Sequence, residues 1–192
     1  MWPAAIGTSK DEMKIYKLLL LLFLLSQTTN ANKIPNKLAV KIQEAIEKEG
    51  GRIVLNKIFS TPEWDSAMVG ISNGSPTWLK VAGKLRPFSD AASSEDLSIS
   101  IGIALGNNPT AVFNEFGRAD DSTSLSGYCK SMPIEDTLPH LIQLFEKRKS
   151  ALTRSKSIKW RAHRADCLKE VNLELEFLRN QIQNENAEKN KK

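Results

Sequence analysis

Ser93 to Asn107 reads SSEDLSISIGIALGN, and the conformation of this stretch decides the fold class of the chain. Leu97, Ile99, Ile101, Ile103 and Leu105 alternate with small or polar residues, which is the period of a half-buried strand. Leu97, Ile101, Ala104 and Leu105 also satisfy helical spacing. Ser93-Ser94-Glu95-Asp96 has the form of an N-cap followed by acidic residues that suit the helix dipole. A lone strand has nothing to pair with if its neighbours are helical. The stretch therefore reads as a buried helix, provided that the flanking sequence is helical too.

On both sides it is. Thr61-Pro62, Ser75-Pro76 and Asn108-Pro109 each place a capping side chain before a proline. Proline at the first helical position lacks a donor that would be orphaned there anyway. Gly74, Pro87 and Gly117 supply stops, so helices are expected at about 62–72, 76–85 and 109–116. Trp64, Met68 and Ile71 share one face of the first; Trp78, Val81, Ala82 and Leu85 share one face of the second. Upstream, Leu38, Ile42, Ala45 and Ile46 mark an amphipathic helix. Gly50 and Gly51 then interrupt an apolar pattern that resumes from Ile53 to Phe59, as two helices meeting at the glycines, one helix crossing them, or a short strand.

Downstream, Gly117 to Glu135 lacks periodicity and reads as a long connecting loop pinned by Cys129. Asp136 or Thr137 caps a helix beginning near Pro139, with Leu138, Leu141, Ile142, Phe145 and Leu152 on its inner face. A last helix is expected over 158–183, with a stripe of Ile158, Ala162, Ala165, Leu168, Val171, Leu175, Leu178 and Ile182. Residues 184–192 read as a disordered charged tail. The expectation is an all-α domain over 32–183, an irregular bundle or short repeat-like array of six to seven helices with one disulfide.

Within this helical frame, three clusters run through the middle of the chain: Trp78, Leu79, Val81, Ala82, Leu85; Asp90, Ala91, Ser94, Glu95, Leu97; and Ala104, Leu105, Asn108, Pro109, Val112. Their pattern, WL-x-VA-x-x-L, DA-x-x-SE-x-L and AL-x-x-NP-x-x-V, resembles that of a group of small exported bacterial proteins of uncharacterised function. The resemblance covers the middle third and implies an all-helical fold and an envelope location. It implies no activity.

The N-terminus also points to export. Leu18 to Leu25 is an eight-residue apolar run behind Lys14 and Lys17, with Thr29 and Ala31 at small-residue positions beyond it. Eight helical residues span about 12 Å, far short of a membrane, so residues 1–31 read as a signal peptide, with Met13 as an alternative start. Residues 32–192 then carry 24 Lys+Arg and 20 Asp+Glu, a net charge of +4. That balance does not call for nucleic acid. In an oxidising compartment, most naturally the periplasm, Cys129 and Cys167 are expected to form a disulfide.

Candidate chemistry is sparse. Asp90 and Glu95 beside Arg86 could form an acidic site for hydrolysis of an envelope polymer, but acids at a helix start are expected for capping alone. His140 and His163 lack a zinc spacing or a nucleophile partner, and there is no P-loop, dinucleotide fingerprint or G-x-S-x-G elbow. No cofactor and no metal are implied. Between Lys147 and Arg164 lie eight cations, among them Arg154, Lys156 and Arg161, with no acid between them. They form either a solvated helical hairpin or a patch for an acidic protein, anionic lipid or cell-wall polymer. The sequence thus favours a non-catalytic envelope binding or adaptor protein, its partner another envelope protein or peptide. An immunity protein against an envelope-acting toxin and an envelope-polymer hydrolase are the alternatives.

Overall fold

The computed structural model describes residues 36–118 and 122–189; the expected signal peptide lies outside them, as do Asn190 to Lys192. Among the described residues there are nine α-helices and no strand. They are α1 (Asn36–Glu49), α2 (Gly51–Ile58), α3 (Pro62–Ser72), α4 (Pro76–Leu85), α5 (Ala91–Leu105), α6 (Pro109–Phe116), α7 (Ser122–Lys130), α8 (Leu138–Arg154) and α9 (Arg161–Lys189). A 3₁₀ turn, Arg86–Phe88, follows α4. The all-α class is as the sequence gives it; the count exceeds six to seven because the glycine pair splits α1 from α2 and the long loop contains α7. Gly50 has φ +92°, a left-handed conformation that glycine adopts without strain.

Helix α5 settles the ambiguous stretch and explains it. It packs against α3, α6, α7 and α8, and Leu97, Ile101, Ala104 and Leu105 are buried. A helix surrounded on several sides needs apolar residues around most of its circumference, and over fifteen residues this produces apparent alternation. Its start lies upstream of the expected Ser93. Asp90 is the N-cap: its carboxylate accepts from the Ser93 amide at 3.0 Å, while Ser93 Oγ accepts from the Asp90 amide at 3.0 Å, a reciprocal capping box.

The three proline-led helices begin and end as expected, but only one of their caps works as anticipated. Asn108 Oδ1 accepts from the Ala111 amide at 3.2 Å. Thr61 instead donates its hydroxyl to the Ile58 carbonyl at 2.6 Å, and Ser75 donates to Asn36 Oδ1 at 3.3 Å. The chain before Pro62 and before Pro76 is thus tied backwards, to α2 and to α1 respectively. The α3–α4 and α5–α6 turns are joined by Asn107 Nδ2 to the Ser72 carbonyl (2.7 Å) and Asn108 Nδ2 to the Gly74 carbonyl (3.0 Å). Trp64 and Trp78 are core anchors, both buried. Trp64 donates to Asp96 Oδ2 at 2.9 Å, while the Trp78 indole lies against Gly70, where a side chain would collide with it.

Helices α8 and α9 form an antiparallel pair, with Arg164 bonded to Ser155 near the turn and Arg179 paired with Glu146 further along. Helix α7 packs on both α5 and α9. The α9 stripe differs from the expected one: Cys167, Val171, Leu175 and Leu178 are buried, whereas Ala162 and Ala165 are exposed and Ile158 precedes the helix altogether. The helix also continues six residues past the expected end at Gln183. Cys129 on α7 and Cys167 on α9 stand at disulfide-bonding distance, with Cα atoms 5.2 Å apart.

Candidate functional site

The acidic turn between α4 and α5 is occupied by structural duties. The Ser93 hydroxyl and amide both hydrogen-bond the Asp90 carboxylate, which lowers its pKa below the ordinary aspartate value. Arg86 turns its guanidinium over the Tyr128 ring on α7, 5.0 Å from the centroid. Asp96 is engaged by Trp64. Glu95, on the second turn of α5, is exposed. A shallow cleft of about 220 Å³ does open here, lined by Arg52, Leu55, Asn56, Phe59 and Phe88 together with Asp90 and Ser93. Its acid and its serine are bonded to each other.

The basic run divides into parts with different roles. Arg148, one of the eight cations, is fully buried. Its Nη1 donates to the Cys129 carbonyl at 2.6 Å and its Nη2 to the Ser131 carbonyl at 2.9 Å, with the Phe145 ring 4.7 Å from Cζ. These carbonyls lie at the C-terminal end of α7, where four acceptors have no partner within the helix. A planar fork suits two of them. Burial pushes the Arg148 pKa down to about 9, Glu174 acting in the opposite sense, so the group is a cation at neutral pH. Gly102 on α5 leaves room for it: a Cβ there would stand 3.0 Å from both Arg148 Nη2 and the Tyr128 carbonyl. Nothing in the sequence marks Arg148 apart from its neighbours except its spacing, three residues after Phe145 and four before Leu152.

Arg164 is likewise committed, donating to the carbonyls of Ser155 and Ser157 in the α8–α9 turn. What is left at that turn is Arg154, Lys156, Lys159 and Arg161, all exposed and none in an ion pair among the described residues. The structure therefore brings three of the sequence candidates, Arg154, Lys156 and Arg161, to one end of one hairpin. Lys159 joins them, its ammonium 4.3 Å above the Trp160 ring. Among them in sequence, between Lys156 and Lys159, is Ile158, 79% exposed. The turn beneath is firmly seated: Trp160 is buried, donates to Asn114 Oδ1 at 2.9 Å, and contacts Phe113 and His163.

A second cleft, of about 310 Å³, lies between α7 and α9 beside the two cysteines, lined by Ser126, His163, Asp166, Lys169 and Glu170 among others. Charges of both signs meet there, and Glu170 is within 3.9 Å of Lys130. Among the described residues no group of three or more His, Cys, Asp or Glu side chains could hold a metal ion. No helix among them is long and apolar enough to cross a membrane. Compared with known proteins, the chain matches no family model, no curated protein and no solved structure.

Proposed function

We propose that this chain is an exported, non-catalytic binding or adaptor protein of the cell envelope, residing in the periplasm, and that the α8–α9 turn is its contact surface for an anionic partner. The observation that carries this reading is the grouping of Arg154, Lys156, Lys159 and Arg161 on a well-seated turn with no acid paired to any of them among the described residues. Unpaired cations held close together raise the local concentration of anionic partners and speed their capture. The binding reading is also supported at the rival site, where Asp90 caps a helix and Asp96 holds a core indole.

The test compares the wild-type chain with an Arg154→Glu/Lys156→Glu/Arg161→Glu variant in capture from envelope extract. The expected result is anionic envelope material, protein or lipid, retained by the wild type and lost by the variant, at unchanged melting temperature. Equal retention by both would retire the turn as the contact surface, and no retention by either would overturn the binding reading.

A further inference from the structure

We infer that the anionic partner of the α8–α9 turn is a lipid bilayer surface rich in acidic phospholipids, entered by Ile158 while the four cations meet headgroup phosphates. This rests on the reading of the turn as an anion-binding surface and narrows it to one class of partner. The cations alone would suit any polyanion. Ile158 discriminates: a wholly acidic peptide, a nucleic acid or a charged polysaccharide gives Lys and Arg their counter-charges but offers an isoleucine no apolar phase. A bilayer offers both, charge at the surface and hydrocarbon just beneath it.

The exposure of Ile158 is built into the turn. The carbonyls of Ser155 and Ser157, three residues and one residue before it, are both held by the Arg164 guanidinium. Two residues on, Trp160 is buried and fixed to Asn114. Ile158 stands 79% exposed between these anchored points. Arg154, Lys156 and Ile158 alternate with Ser155 and Ser157, so the small serines carry the backbone bonds while these long side chains are exposed.

The attachment is expected to be reversible. Each cation near an anionic surface strengthens binding about fivefold, and withdrawing one isoleucine from water contributes about tenfold or more. Because the charges are exposed, their contribution fades once the Debye length falls to a few ångströms in high salt.

The experiment places an environment-sensitive fluorophore on an Ile158→Cys variant of the full chain and titrates it with two kinds of vesicle. One is phosphatidylcholine alone; the other is equimolar phosphatidylcholine and phosphatidylglycerol. The probe position makes the readout specific to the turn, whatever the Leu18–Leu25 segment does. A blue shift on the anionic vesicles only, reversed by salt, is expected. An Ile158→Ser variant should bind those vesicles about tenfold more weakly and bind polyglutamate as the wild type does. A probe that no vesicle shifts, or that neutral vesicles shift equally, overturns the inference. If polyglutamate is still bound in that case, and the charge-reversed variant loses it, the anion-binding reading stands and only the lipid assignment falls. If neither vesicle nor polyglutamate is bound, both fall.

Discussion

The guanidinium of Arg148 donates to the carbonyl of Cys129 at 2.6 Å, so the residue that links α7 to α9 through its sulfur is linked to α8 through its main chain. Helix α7 has only nine residues, too few to be stable alone. Its position depends on these two ties and on the packing of Leu125 and Tyr128.

Replacing Arg148 by methionine keeps much of the volume but leaves the Cys129 and Ser131 carbonyls without their charged donor. We expect a loss of about 2–4 kcal/mol, the cost of leaving one buried and one half-buried acceptor unsatisfied. Arg148→Lys should recover little of it, since an ammonium on a flexible stem lacks the fork that spans both carbonyls. Urea unfolding of the two variants measures this, and a methionine variant as stable as the wild type would show that the carbonyls find other donors.

Gly102→Ala should destabilise by about 1–3 kcal/mol, the usual cost of an added methyl in a packed core. The methyl would press on Arg148 Nη2 and on the Tyr128 carbonyl together. Combined with Arg148→Met it should cost less than the two changes summed, because the shorter side chain vacates the space. A double-mutant cycle reads that coupling, and strict additivity would mean that the two residues do not share it.

Removing the cysteine bridge with Cys129→Ala/Cys167→Ala frees a loop closed across 38 residues. The chain-entropy model puts the loss at about 4 kcal/mol. Unfolding of the wild type with and without reductant should reproduce the same difference. Retention of α7 helicity below the transition, followed by hydrogen exchange, is also expected because Arg148 remains in place.

Asp90 gives a pH dependence with a definite sign. Its folded-state pKa is lowered from 3.8 by the Ser93 hydroxyl and amide. The stability it contributes is therefore present above pH 3.8 and is lost as pH falls through the lower folded value. Asp90→Asn keeps a capping oxygen but does not titrate. The wild type should thus melt above the asparagine variant near neutral pH, and the gap should close in acid. A gap independent of pH would show that the cap does not depend on charge. Glu95→Gln, at an exposed position, should leave melting and binding unchanged.

How much of this was open to sequence reading follows from where the determinants lie. The boundaries of α3, α4 and α6 are written locally, by a proline at each start and a glycine, or a proline-led turn, near each end. The start of α5 is local as well, but two chemically sound caps compete there, and three residues separate Ser93 from the one used. Helix α7 carries weak periodicity and depends on partners remote in sequence, Arg148 and Cys167, so it reads as loop. Arg148 is illegible for the same reason: an arginine among cations reads as surface until the α7 carbonyls that it serves are in place. The regular spacing of Ile158 with Ala162 and Ala165 suggested a buried stripe, but Trp160 reaches the core from the turn and leaves Ile158 outside. At the acidic turn the sequence reading anticipated capping, and the structure supplies the partners.

The hold of Arg148 on the Cys129 carbonyl requires no sulfur chemistry. With both cysteines as thiols, Arg148 would still have the Cys129 and Ser131 carbonyls to hold, because its guanidinium grips the C-terminal end of α7 independently of the side chain of Cys129. Docking then presents one thiol to the other at an effective concentration set by the fold. Oxidation in that order would ratify a pairing already favoured by an arginine, and the cross-link would make an existing arrangement permanent.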